Sequence, residues 1–129
     1  MLLRAEGRLA EAIEQFTKAI EINPTYVQAI IKLGITQQEL GRTDEAIETF
    51  KRALEVHPGF VDMHYRLGLL YTEGKDFDKA VEHLKLAVAG APDSARIRAF
   101  LAMSLQNMGL MDRAAAAWRS LWKIHQFES

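Results

Sequence analysis

Residues 24–58 read PTYVQAIIKLGITQQELGRTDEAIETFKRALEVHP, and residues 58–92 read PGFVDMHYRLGLLYTEGKDFDKAVEHLKLAVAGAP. Each stretch runs from one proline to the next, and both have the same length. Pro24, Pro58 and Pro92 are the only prolines of the 129-residue chain and stand 34 residues apart. A fixed period of this size marks stacked structural repeats. Sliding the chain by 34 residues, without a gap, aligns Ala12, Ala46, Ala80 and Ala114. It also aligns Phe16, Phe50, Leu84 and Trp118, then Ala19, Ala53, Ala87 and Leu121. Leu33, Leu67 and Leu101 form another column beside Gly34, Gly68 and Ala102. Gly7, Gly41 and Gly109 share a slot that Lys75 fills once, with a glycine displaced by one to Gly74.

Each column has a physical reason. Apolar residues between the prolines recur at helical spacing, as in Ala46, Ile47, Phe50, Ala53 and Leu54, and again in Ala80, Val81, Leu84, Ala87 and Val88. Proline cannot continue a helix and disfavours helical geometry in the residue before it, so it closes each segment. A second helix follows, from Val61 to about Tyr71 in the central stretch, and a glycine-containing turn ends it. Asp44, Asp78 and Asp112 fall just inside the next helix, where a carboxylate meets the positive end of the macrodipole. The small columns let paired helices approach closely, and the large ones fill the space between them.

This pattern resembles the tetratricopeptide repeat family. The 34-residue helix pairs, the L-G or L-A of the first helix, the A-x-x-x-F/L/W-x-x-A/L run of the second and the closing proline all carry the resemblance. It implies an all-α fold: an α-solenoid of antiparallel helix pairs in a right-handed superhelix, with three full repeats and a partial N-terminal one. One domain over residues 1–129 is expected, with a partial repeat at 1–26 and repeats at 27–60, 61–94 and 95–128. Two slots depart from the family pattern. The first-helix anchor is Ile30, His64 and Arg98 where the family favours Trp, and the later aromatic slot holds Gln37, Tyr71 and Leu105. Arg98 fits worst and predicts a looser third pair.

The same register puts the tail of a first helix at Met1 to about Glu6, before the whole of its partner helix. Ile13 and Phe16 thereby lose most of their usual neighbour. At the other end Trp118, Leu121 and Trp122 have no following repeat to cover them. Solenoid ends need polar caps, so the chain reads as a segment of a longer protein or as one that covers its ends by self-association.

Composition excludes several functions. Sixteen Lys and Arg against seventeen Asp and Glu give a net charge of −1, without the broad basic footprint of a nucleic-acid binder. The absence of cysteine excludes disulfide frameworks, zinc ribbons and thiol nucleophiles. No apolar run approaches the roughly 18–20 residues of a membrane span, and no secretory leader is visible, so direct membrane insertion is not expected and a cytoplasmic location is the default. Of His57, His64, His83 and His125, none stands four residues from another as a metal-binding helical pair would. His64 occupies a core column and is expected to be buried and hydrogen-bonded. Carboxylates such as Glu11, Glu14, Asp44, Glu45 and Glu48 lie mostly on outward faces. No metal, cofactor or catalytic role is expected of this chain.

In the resembled family the first helices line a concave groove that receives a peptide or partner helix. Carried onto this chain, the groove takes Gln28, Ile31, Lys32 and Ile35 from one helix, Asp62, Tyr65, Arg66 and Leu69 from the next, and Arg96, Phe100 and Met103 from the third. An apolar strip edged by Lys32, Arg66 and Arg96 suits a short peptide or an amphipathic helix. Ile31, Ile35 and Leu69 fit packing between adjacent first helices equally well, and the basic side chains are either solvated or paired with Glu39 and Glu73. The family's grip on the C-terminal carboxylate of heat-shock chaperones is disfavoured. Its slots here hold Ile31, Ile35, Arg66, Arg96 and Phe100, of which Arg96 alone is chemically comparable. The leading expectation is thus a protein-interaction scaffold. Its alternatives are a self-assembling module, joined through Ile13, Phe16, Trp118, Leu121 and Trp122, and the docking segment of a larger enzyme.

Overall fold

The computed structural model describes residues 2–109. Six α-helices follow in order: α1 (Leu2–Ile22), α2 (Val27–Glu39), α3 (Thr43–Val56), α4 (Val61–Glu73), α5 (Phe77–Gly90) and α6 (Ala95–Asn107). Each helix packs on the next in sequence, and α4 also touches α6. No strand occurs among the described residues. Consecutive helices joined by short turns and packed neighbour on neighbour form the expected all-α solenoid. Ala114, Asp112, Trp118, Leu121 and Trp122 lie outside the described residues.

Two kinds of turn alternate, and each repeats its hydrogen bonds at the sequence period. In the proline turns, Tyr26 N–H donates to the Asn23 carbonyl, Phe60 to His57 and Ser94 to Ala91, at 3.1, 3.2 and 3.1 Å. The other turns end α2 and α4 by a two-bond C-cap. Gly41 N–H donates to the Gln38 carbonyl and Arg42 N–H to Gln37, while Lys75 N–H donates to Thr72 and Asp76 N–H to Tyr71. This is the Schellman arrangement, which needs a left-handed residue just past the helix end. Gly41, Lys75 and Gly109 supply it, with φ of 78°, 62° and 77°. Gly74, displaced by one in the sequence, takes an ordinary φ of −80° as the C-cap of α4. The geometry therefore belongs to the slot and Lys75 bears its strain. Lys75→Gly is expected to raise unfolding free energy by about 0.5–1 kcal/mol, the relief of a left-handed side-chain clash less the added freedom of the unfolded chain. Urea denaturation of the two proteins checks it, and a loss of stability would contradict the assignment.

The core alternates small and large along the period. Ala46, Ala53, Ala80 and Ala87 are fully buried, as are Phe50 and Leu84. A methyl group on Gly34 would overlap the Phe50 ring, and one on Gly68 would lie 2.6 Å from Leu84 Cγ. Gly34 and Gly68 are thus the floors on which the large residues of α3 and α5 sit. Met63, Leu67 and Leu70 bring α4 into the same packing.

One local expectation changes, at the N-terminal helix, and two others gain detail. The sequence register separates the tail of a helix ending near Glu6 from the helix that follows Gly7, whereas α1 is continuous from Leu2 to Ile22. Gly7 stays right-handed inside it, and one glycine among good helix formers costs only about 1 kcal/mol. Ile13 and Phe16 are half-buried and pack against the core cluster that contains Ile20 and Ile30. Arg98 is exposed, yet it has a defined partner: its Nε donates to the Pro92 carbonyl at 2.7 Å. His64, one period earlier, places Nε2 2.9 Å from the Pro58 carbonyl. The anchor slot of both helices thus binds the carbonyl of its own turn proline.

Candidate functional site

The first-helix candidates come from α2, α4 and α6, and the contact between α4 and α6 decides their arrangement. Tyr65 and Phe100 meet edge to face, with ring centroids 5.8 Å apart and planes at 65°. One turn or more toward the helix C-termini, the Thr72 and Ser104 hydroxyls share a hydrogen bond at 3.0 Å, with Ser104 fully buried. These two contacts join α4 to α6 along one side. Tyr65 and Phe100 remain half-buried, Leu69 likewise, and Met103 is 49% exposed.

Among the described residues the charged candidates divide into exposed and paired. Arg66 Nε donates to Asp62 Oδ2 at 3.0 Å, one turn back on α4, so Arg66 pairs with Asp62 and not with Glu73. Gln28, Lys32 and Arg96 are exposed. Ile31 is 8% exposed and belongs to the main core cluster, while Ile35 packs against it half-buried. Ile31 is therefore part of the floor that supports the surface, and the apolar candidates that reach solvent are Ile35 on α2, Tyr65 and Leu69 on α4, and Phe100 and Met103 on α6.

The two imidazoles behind α4 are mutually engaged. His64 is buried and His83 half-buried, with their Nδ1 atoms 3.1 Å apart. Because His64 Nε2 faces the Pro58 carbonyl and must donate to it, neutral His64 accepts at Nδ1 and His83 donates. Tyr71 stacks on His83 at a centroid distance of 5.7 Å. In the later slot of the preceding repeat, Gln37 accepts from the Thr49 hydroxyl at 2.6 Å. Nothing in the sequence pattern marked His83 as the partner of His64; the 19-residue separation carries no motif.

This pair has a pH consequence. Burial holds the His83 imidazole below its ordinary pKa of 6.5; the charge of His64 and of Lys51 pushes the same way, and Glu82 opposes them. Unfolded His83 therefore takes up its proton at a higher pH than folded His83. The stability it contributes is complete above about pH 6.5 and is lost as pH falls from there toward the lowered folded value. Urea unfolding between about pH 8 and pH 5 is expected to show that decline, and His83→Gln to flatten it. A pH-independent midpoint in the parent chain would contradict the geometry.

Antiparallel helix pairs, recurring every 34 residues and stacked neighbour on neighbour, define a helical-repeat solenoid. A family model described as Tetratricopeptide repeat matches residues 31–95, and a second of the same description matches residues 1–59. The chain belongs to the tetratricopeptide repeat family, whose members serve generally as scaffolds for protein interactions. No curated protein matches it. Among solved structures it is similar to a "MamA RS-1 ArsTM double mutant", with a TM-score of 0.78 and 23% identity over 91% of this chain. The match spans 65% of that structure's chain and shows a shared fold. Among the described residues no helix is long and apolar enough to cross a membrane.

Proposed function

We propose that the chain binds a short peptide or an amphipathic helix of a partner protein along α4 and α6, with α2 extending the surface. The observation that carries this reading is the Tyr65–Phe100 pair, half-buried at the α4–α6 contact and continued by the exposed Met103. Apolar anchors partly presented to solvent and edged by cations suit a helix with one apolar face and acidic flanks. Arg96 and Lys32 are the exposed cations, and Arg66 becomes available to a partner carboxylate by exchange with Asp62. An exposed ion pair of this kind contributes about 1 kcal/mol at most, so the exchange is cheap.

The test is capture of partner proteins from extract by the parent chain and by the Tyr65→Ala, Arg66→Ala double variant, followed by mass spectrometry. A partner held by the parent is expected to be lost by the variant, because truncated Tyr and Arg anchors often cost about 2 kcal/mol or more of binding each. A helical circular-dichroism spectrum retained by the variant is required for the comparison. A partner retained at equal strength would overturn the groove reading. If Trp118→Ala and Trp122→Ala abolish an association of the chain with itself instead, the assembly reading replaces it.

A further inference from the structure

One cleft outside the α4–α6 surface combines usable volume, converging charge and a buried polar group left unsatisfied. It lies between α3 and α5 at the C-terminal end of α4 and has a volume of about 380 Å³. Ile47 and Leu70 give it apolar wall. Lys51 from α3 and Lys79 from α5 both reach the ring of Tyr71, with ammonium nitrogens 5.9 and 5.6 Å from its centroid. Tyr71 is 6% exposed, and its buried hydroxyl has no hydrogen-bond partner among the described residues.

We propose that this cleft binds the carboxylate of a small organic acid, which accepts from the Lys51 and Lys79 ammoniums and the Tyr71 hydroxyl while its apolar body rests on Ile47 and Leu70. Three observations converge on that ligand. A buried hydroxyl without a partner is costly, and an acceptor supplied by a ligand removes the cost. The two ammoniums are drawn to one ring from different helices and repel each other. Besides the Tyr71 ring, each has a long contact to a carboxylate one turn earlier, Lys51 to Glu48 at 3.5 Å and Lys79 to Asp76 at 3.7 Å. A bridging carboxylate replaces both long contacts by charge-assisted hydrogen bonds.

The charge balance selects within the oxyanions. Asp44, Glu48 and Asp76 line the cleft together with the two lysines, so the walls carry one more negative charge than positive. That surplus opposes any anion, a multiply charged phosphate more than a singly charged carboxylate, so the carboxylate is held by direct contact with the two ammoniums. The volume lies at the small end of ligand pockets, which suits a compact acid. The Lys51 pKa is raised, first by the Tyr71 hydroxyl beside it; burial opposes this, and Glu48 adds a smaller rise, so the ammonium stays charged at neutral pH. The favourable approach of Lys51 to the phenol nevertheless stops short of satisfying the hydroxyl.

The experiment is a titration of the isotope-labelled chain with butyrate, and separately with inorganic phosphate, at constant ionic strength, followed by amide chemical shifts. Saturable shifts confined to residues 43–51 and 70–79 are expected with butyrate, and weaker binding of phosphate. Lys51→Met and Lys79→Met are each expected to weaken butyrate binding about tenfold. Tyr71→Phe separates the ligand reading from a structural one. It is expected to raise the melting temperature of the free chain, since it deletes an unsatisfied buried hydroxyl, and at the same time to weaken butyrate binding. Stabilisation with unchanged affinity would overturn the proposal, as would shifts that never saturate or phosphate binding tighter than butyrate. A peptide whose free C-terminal carboxylate binds more tightly than butyrate would overturn the assignment to a small acid.

Discussion

Phe50→Ala is expected to lower the unfolding free energy by about 3–5 kcal/mol, the loss of a buried aromatic side chain plus the cavity left behind. Phe50 has no exposed surface, and its ring lies directly on Gly34, across the contact between α3 and α2. Gly34 has no side chain with which to fill the space, and the α2 backbone can approach only as far as the fully buried Ile30 and Ala46 allow. The reverse fault is milder: Gly34→Ala is expected to cost about 1–3 kcal/mol, because the added methyl group must displace the ring. Combined, Gly34→Ala and Phe50→Ala are expected to cost less than the sum of the two, since the methyl then enters the vacated space. Chemical denaturation of the four proteins measures the cycle. Strict additivity would show that the ring and the glycine do not meet.

The period made the fold legible because each helix pair solves the same packing problem, so the same small and large residues return every 34 positions. Gly34 with Phe50 and Gly68 with Leu84 are two copies of one solution, and both stand as columns in the sequence. Where the residue changed but the geometry did not, the pattern misled. Lys75 looked like a break in the glycine column, yet the backbone there is as left-handed as at Gly41. Arg98 is the poor core residue it looked like, being exposed, and its guanidinium instead serves the turn carbonyl that His64 serves one repeat earlier. A column records which side chains fill a slot, whereas these slots are defined by backbone hydrogen bonds that several side chains can accommodate.

The candidate groove was legible in part for a related reason. The 34-residue period placed Ile31 and Tyr65 in equivalent slots of α2 and α4, but a shared slot does not say how far a neighbouring helix covers it. α6 leaves Tyr65 half-buried against Phe100, and Ile31 sinks into the core. The Tyr71 cleft was not legible at all. Its lysines come from two helices 28 positions apart, and the missing hydrogen bond at Tyr71 is a property of three-dimensional surroundings alone.

Leu84→Ala is expected to remove about 2–5 kcal/mol, and to do so locally. Leu84 is fully buried at the centre of a second core cluster with Ala87 and Ile97, against which Val61, Tyr65, Phe100 and Leu101 pack. The main cluster, from Ile20 to Ala80, is built on different side chains. In a solenoid each unit is stabilised chiefly by its neighbours, so damage at one interface is transmitted mainly to the adjoining helices. Amide hydrogen exchange of Leu84→Ala is therefore expected to lose protection over α4–α6 while α1–α3 retain most of theirs. The same cavity undercuts the Tyr65–Phe100 contact, so the partner binding proposed for α4 and α6 should weaken although no residue of that surface has been changed. Phe50→Ala acts on the other cluster and provides the matched comparison: protection lost first in α2 and α3, with Tyr65 and Phe100 less disturbed. Equal loss of protection from α1 to α6 in both variants would mean that the six helices unfold as one cooperative block. The surface on α4 and α6 would then depend on the whole stack and not on the helix pair beneath it.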